Sequence, residues 1–357
     1  MIFFVIVLLL IVFSSAKAEK HNEFNRDYIS KDATNNIKGI FVILILFSHG
    51  KGYINLGGIY DAPYTAMQNH LNQMVVALFL FYSGYGIMEQ IKKREFSYIM
   101  SIPKKRFPNL LLNFDISVIL FALLWICLGR PVTVKSFLIA LTSYCGIGNS
   151  SWYIFVTLVL YIFTFIAFFP IKWKNAKVYH LLYIVLLTFF NIIFVLFLKY
   201  ILLKEPFWYN TAILYALGFW YSYFKDFIEK ILMKNDVLFL GSGLVVCVAY
   251  SVFYLHRWDR LLIYEAWAVM FTVLTVMITM KVKIESNILK WFGEHIFSIY
   301  ILQRIPMIIL HEIGVASRHK YIFMIVSIAA SCAIAEIYDI LLGKLSALIW
   351  KPKKINA

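Results

Sequence analysis

The residues best placed to do chemistry are Lys38 and His49, at the start and near the end of the apolar segment KGIFVILILFSHG. They are eleven residues apart, close to three helical turns, so both side chains project from nearly the same helix face. The axial distance between them is roughly 16 Å, about half the hydrocarbon thickness of a bilayer. An imidazole inside an apolar bundle is costly, and it can exchange a proton near neutral pH. The spacing predicts a functional histidine or, alternatively, one that only hydrogen-bonds a neighbouring helix.

Composition places this segment in a membrane protein. The 357-residue chain is 62% hydrophobic and 15% charged, whereas soluble domains average about 25% charged residues. We predict an all-α, polytopic transmembrane helical bundle of about 10 or 11 spans. After a leading helix, the spans are expected at residues 37–53, 71–90, 110–128, 152–169, 179–198, 207–224, 237–255, 261–280, 296–311 and 321–342.

The basic residues predict the topology. If residues 17–36 are cytoplasmic, the cytoplasmic regions hold 24 of the 34 Lys and Arg residues and the external loops hold nine. This distribution explains the net charge of +15 without nucleic acid as a partner. The predicted parts are a transmembrane or signal-like helix at 1–16, a cytoplasmic segment at 17–36, the membrane domain at 37–345 and a cytoplasmic basic tail at 346–357.

Polar and aromatic side chains lie in or beside several spans. Ser83 and Tyr85 lie in FLFYSGYGI, where Gly84 and Gly86 are also suited to close helix packing. The pair Trp152-Tyr153 opens a span on the external side, where it predicts an aromatic belt or a stacking platform for a sugar. The preceding segment, 128–151, has too short an apolar core to span, so we expect a re-entrant or interfacial piece.

Charged residues within the later spans need partners or water. Glu265 lies near the external end of its span. Gln303 and Arg304 are expected to share one helix face with Tyr300. Arg304 could have a functional role or could pair with one of two carboxylates in the last span, Glu336 and Asp339.

The most basic stretch, residues 92–106, ends in PKKRFP. It is either a topological anchor facing anionic headgroups or a site for a phosphorylated ligand at Lys104, Lys105 and Arg106. The four cysteines lack metal-ligand spacing, so no metal is expected.

Five motifs in this order resemble the acyltransferase 3 family, bacterial integral-membrane enzymes that O-acetylate surface polysaccharides. IKGIFVILILFSH resembles the family's pattern of an arginine, ten residues and a histidine, with Lys38 in place of the arginine. The other motifs are FLFYSGYGI, PKKRFPNLL, SSWYIFVTLVLYIF and FGEHIFSIYILQRIP, the last with Gln303 where histidine is often found. The likeness covers about residues 26 to 340.

The resemblance implies an O-acetyltransferase of the bacterial inner membrane that moves an acetyl group from cytoplasmic acetyl-CoA to a hydroxyl of capsule, O-antigen or exopolysaccharide. His49 would deprotonate the hydroxyl or carry the acetyl group, and Lys38 would assist it. The CoA phosphates would be bound by Lys38, Lys104, Lys105 and Arg106. The acceptor would be bound by Ser83, Tyr85, Trp152, Tyr153, Glu265, Gln303 and Arg304. The expected partners are the lipid bilayer, the acyl-CoA, a polysaccharide or lipid-linked sugar acceptor, and a second copy of the chain in a homo-oligomer.

The sequence departs from the family pattern at two positions. Lysine at position 38 offers a point charge instead of a guanidinium fork, and Gln303 cannot titrate.

Two other function classes are compatible with these residues. A proton-coupled transporter or flippase of a polysaccharide precursor would use His49, Arg304, Glu336 and Asp339 as a path. A non-catalytic membrane partner in a polysaccharide assembly complex is the other class.

Overall fold

The computed structural model of the protein describes residues 1–71, 73–174 and 177–349. Residues 350–357 of the predicted basic tail, 346–357, lie outside the described residues. The α-helices, numbered α1 to α16 in chain order, are Ile2–Ser15, Lys31–Lys51, Ala62–Leu71, Met74–Ser101, Phe107–Cys127, Val134–Leu141, Trp152–Phe168, Lys177–Tyr200, Ile213–Leu232, Asp236–Leu255, Leu261–Lys281, Asn287–Glu294, Ile296–Leu302, Arg304–Glu312, Val315–Arg318 and Lys320–Ile349. Two strands, β1 (Ala16–Ala18) and β2 (Val282–Ile284), pair antiparallel.

The predicted fold class, an all-α polytopic bundle, is confirmed. Six helical stretches of the described residues are long and apolar enough to cross a membrane, and one of them, Ala62–Cys127, contains two predicted spans. Within the segment 128–151, α6 has eight residues, too few to span a bilayer. The leading helix α1 packs on the bundle, with Phe4 against the Phe47 ring at 5.7 Å between centroids.

Helix α2 extends six residues before the predicted span 37–53 and begins at Lys31, because the Ser30 hydroxyl caps it by accepting a hydrogen bond from the Ala33 amide at 3.2 Å. One predicted span is wrong as a single helix. The predicted span 296–311 is divided into α13 and α14 at Gln303. Pro306 explains the break, because it has no N–H to donate to the Leu302 carbonyl, and its ring clashes with that group in a continuous helix.

Loops predicted on the same side of the membrane contact one another. On the predicted cytoplasmic side, Lys281 forms an ion pair with Asp236 at 2.7 Å, and β1 pairs with β2. On the predicted external side, Arg130 pairs with Glu312 at 2.7 Å, and Lys320 pairs with Asp61 at 2.6 Å. The two groups of loops therefore gather at opposite ends of the bundle, as the predicted topology requires.

Small residues bring helices α4 and α9 into backbone contact. A methyl group added at Gly84 would lie 2.0 Å from the Tyr215 carbonyl oxygen, and one added at Gly218 would lie 2.2 Å from the Phe81 carbonyl oxygen. The prediction of close helix packing is confirmed for Gly84. It is wrong for Gly86, where an added methyl group would meet nothing within 4 Å.

This difference between neighbouring glycines gives a matched test. We expect Gly84→Ala to force α4 and α9 apart and to lower the free energy of unfolding by about 1–3 kcal/mol. Gly86→Ala should leave it unchanged or slightly raise it, because alanine favours helix over glycine. Thermal unfolding of the two variants in detergent measures the effect, and equal losses in both would contradict this account of the packing.

Candidate functional site

His49 lies in the last turn of α2 and opens into a cavity. Its imidazole is half-buried, and its Nδ1 atom is buried with no hydrogen-bond partner among the described residues. We call this space, of about 550 Å³, the His49 cavity. It is lined by Ile45, Ser48, His49, Gln73, Val75, Val76, Tyr144, Cys145, Gly146, Asn149, Ser150, Ser151, Trp152, Lys204, Phe207, Trp208, Tyr300 and Arg304.

A second space, of about 740 Å³, lies at the other end of α2, and we call it the Lys38 cavity. Five of its side chains are cationic, and no carboxylate is among its described lining residues. Its positive charge therefore suits an anionic ligand. It is lined by Lys31, Lys38, Phe79, Tyr82, Ser83, Gly86, Gln90, Arg94, Tyr98, Ser101, Lys105, Arg106, Tyr153 and Ile296.

Two tyrosines link the cavities. Tyr153 lines the Lys38 cavity, Tyr300 lines the His49 cavity, and their rings meet edge to face with centroids 5.6 Å apart. The His49 ring lies 6.5 Å from the Tyr300 ring on the far side of this pair. The two cavities therefore adjoin at this pair of rings, which we call the aromatic wall.

Hydrogen bonds from α3 hold the His49 end of α2. The Tyr64 hydroxyl donates to the Phe47 carbonyl at 2.5 Å, and the Gln68 amide donates to the Leu44 carbonyl at 3.5 Å. A carbonyl oxygen can accept a second hydrogen bond besides the helical one, so these bonds tie α3 to the end of α2 that carries His49. Helix α3 therefore packs over the end of α2 that carries His49.

An elbow in the chain supplies three of the five cations of the Lys38 cavity, Arg94, Lys105 and Arg106. Glu95 has φ +49° and interrupts the helical path of α4, and a five-residue π-helical segment, Ile102–Arg106, then leads into α5. The Arg106 guanidinium lies between the Tyr98 and Tyr161 rings, 5.3 and 5.8 Å from their centroids. These cation–π contacts orient the guanidinium toward the cavity.

The structure divides the predicted site residues between the two cavities. The His49 cavity contains His49, Trp152 and Arg304. The Lys38 cavity contains Lys38, Ser83, Lys105, Arg106 and Tyr153. The aromatic pair expected to cover one external pocket is therefore split, with one ring in each cavity.

Four predicted residues line neither cavity. Lys104 is exposed on the π-helical segment, and Glu265 is half-buried in α11. Tyr85 is buried with its ring 6.1 Å from that of Tyr221. Gln303 is fully buried at the break between α13 and α14, where its amide donates to the Tyr300 carbonyl at 3.3 Å.

The predicted alternative pairing of Arg304 with Glu336 or Asp339 is wrong. His295 Nε2 contacts the Glu336 and Asp339 carboxylates at 3.1 and 3.8 Å, while Arg304 lines the His49 cavity. The four residues proposed for a transporter path therefore do not line one cavity.

Sequence reasoning missed lining residues of both cavities. Lys31 and Arg94 add charge to the Lys38 cavity, and Gln73, Asn149 and Lys204 line the His49 cavity. Lys31 lies seven residues before Lys38, two helical turns away. Helical periodicity therefore places both lysines on one face of α2, provided that the helix begins as early as Lys31. The external residues come from separate loops, and no local pattern predicts that they meet.

In residues 1–71, 73–174 and 177–349, no group of three or more His, Cys, Asp or Glu side chains is arranged to hold a metal ion.

A family model described as an acyltransferase domain matches residues 32–337. Comparisons with curated proteins and with solved structures gave no significant match. The matched region contains α2 from its second residue, both tyrosines of the aromatic wall and nearly all of the residues lining the two cavities. The chain therefore belongs to the acyltransferase 3 family, and it is a membrane-embedded acyltransferase.

Proposed function

We propose that the protein transfers an acetyl group from acetyl-CoA, bound in the Lys38 cavity, to a hydroxyl of a cell-surface carbohydrate in the His49 cavity. The observation that carries the proposal is the buried, unpaired Nδ1 atom of His49, located across a wall of two tyrosine rings from a cavity with five cations. In the predicted topology the donor enters from the cytoplasm of a bacterial inner membrane, and the acceptor lies outside. The acceptor would be capsule, O-antigen, exopolysaccharide or a lipid-linked sugar precursor.

The Lys38 cavity suits a donor that carries several phosphates. Lys38, Lys105 and Arg106 lie there with Lys31 and Arg94, so the cations come from α2 and from the elbow after α4. Lysines bind phosphate as point charges, and the two arginines can bind it bidentately. The loss of a guanidinium at position 38 is therefore offset by guanidinium groups nearby. The thioester would reach His49 past Tyr153 and Tyr300.

The chemistry assigned to His49 is acyl transfer between sulfur and oxygen. An alcohol has a pKa far above 7, so it needs a base in the transition state, and imidazole is suited to this near neutral pH. The sugar oxygen loses its proton to His49 and forms a bond to the acetyl carbon, while the carbon–sulfur bond breaks and the thiolate leaves. The imidazolium then returns its proton to the thiolate. Transient acetylation of the His49 imidazole would give the same products.

We expect His49→Ala to lower acetyl transfer by at least about 100-fold, because a positioned general base contributes about 10²–10⁴. The assay follows radiolabel from acetyl-CoA into surface glycan in membranes that contain the variant. His256→Ala is the control, since His256 is an exposed residue paired with Asp259 at 3.0 Å, away from both cavities. Transfer by His49→Ala at the wild-type rate, in protein that still binds acetyl-CoA, would remove His49 from the chemistry.

The neighbours Lys104 and Lys105 test the donor site, because only Lys105 lines the cavity. We expect Lys105→Gln to weaken acetyl-CoA binding about 10-fold, the effect of removing one hydrogen bond to a charged group. Lys104→Gln makes the same charge change and should leave the affinity nearly unaltered. The measurement is the shift in thermal unfolding with acetyl-CoA concentration in detergent. Equal effects of both variants would contradict a localised phosphate site.

A further inference from the structure

The His49 cavity has an unbalanced charge. Lys204 and Arg304 both line it, and none of its described lining residues is a carboxylate. Arg130 and Lys320, on the same predicted side of the bundle, each form an ion pair with a carboxylate at 2.7 and 2.6 Å. Neither cavity cation forms such a pair with a described residue.

Lys204 is held in place by aromatic rings instead of a counter-ion. Its ammonium lies 3.6 Å from the centroid of the Tyr144 ring and 4.3 Å from that of Trp208. Its sequence neighbour, Glu205, is exposed and lies outside the cavity lining. Cation–π contacts position a charge without neutralising it, so the ammonium is fixed at the cavity with its attraction for an anion intact.

Arg304 provides the second fixed charge. It begins α14, immediately after the helix break, and its Nε atom is buried without a hydrogen-bond partner among the described residues. A half-buried guanidinium that lacks a carboxylate is costly, and an anionic ligand would offset that cost. Gln73 Oε1 and Asn149 Nδ2 are also buried and unpaired in the lining of this cavity.

The lining of the cavity also offers groups that suit a saccharide. Trp152 and Trp208 offer faces on which a sugar ring can stack, and the unpaired amide atoms can bond hydroxyl groups. Ring stacking and hydrogen bonds to hydroxyl groups do not depend on a charge in the sugar. Two cations without a counter-ion, in contrast, favour an anionic ligand. Resting on the proposed function, we infer that the acceptor of this enzyme is an anionic carbohydrate, with its carboxylate or phosphate bound by Lys204 and Arg304.

The test uses glycan from cells that express His49→Ala, which supplies unacylated acceptor, together with purified full-length protein and acetyl-CoA. One portion is left untreated, one is reduced at its carboxyl groups, and one is dephosphorylated. We expect one of the two treatments to lower kcat/KM for the acceptor about 10-fold or more, and which one does so identifies the anion as carboxylate or phosphate. Loss of activity only after release of a lipid diphosphate would place the phosphate on the lipid-linked precursor.

Variants of Lys204 test whether the effect of the acceptor's charge arises in the His49 cavity. Lys204→Gln should raise KM for the untreated glycan about 10-fold, as for loss of one charged hydrogen bond, with little effect on the treated one. Lys204→Arg should restore most of the affinity, because arginine keeps the charge and also stacks on rings. Lys135→Gln removes a charge from an exposed lysine of the external helix α6 and should match wild type.

The outcomes separate the two proposals. Equal transfer to treated and untreated glycan, or a Lys204→Gln variant indistinguishable from Lys135→Gln, would overturn the charge requirement and leave the acyltransferase proposal standing. Absence of transfer to any portion, with acetyl-CoA still bound, would overturn the proposed function and this inference with it.

Discussion

The site depends on backbone contact between α2 and the short helix α12. A methyl group added at Gly39 would lie 1.9 Å from the Leu289 carbonyl oxygen, and one added at Gly293 would lie 1.9 Å from the Asn35 carbonyl oxygen. The Ser286 amide also donates to the Asn36 side chain at 2.9 Å. Because close-packed elements shift only at a cost, α2 can neither slide nor rotate freely at this contact. The level of Lys38 and the direction of His49, three turns later on the same helix, are set together by this constraint.

Two kinds of contact hold cations in this protein. Lys281 and Lys320 have carboxylate partners at 2.7 and 2.6 Å. In the two cavities, Arg106 and Lys204 lie on tyrosine and tryptophan rings. A ring face holds a cation in place without competing as strongly for it as a carboxylate would. On the proposed function, part of the aromatic content of the sequence, 18% of residues, would therefore serve ligand binding as well as packing.

Sequence reasoning was strongest where the signal is local and repeated. Hydropathy predicted nearly every long helix, and the order of five motifs predicted the family, because both depend on contiguous residues. It was weaker at the site, where Lys204 and Asn149 reach the His49 cavity from loops far apart in the chain. The break at Gln303 was missed although Pro306 is visible in the sequence, since a proline inside an apolar span is also compatible with a kinked continuous helix.

Tyr300 and Arg304 lie on either side of that break and both line the His49 cavity, while Gln303 at the break is fully buried. Tyr300 also lies against Tyr153 of the Lys38 cavity. In the proposed reaction, this ring pair between the two cavities would limit the access of water and so protect a reactive thioester from hydrolysis. On the proposed function, the large anionic part of the donor would remain among the cations of the Lys38 cavity, and only its narrow acyl-bearing arm would have to pass the rings.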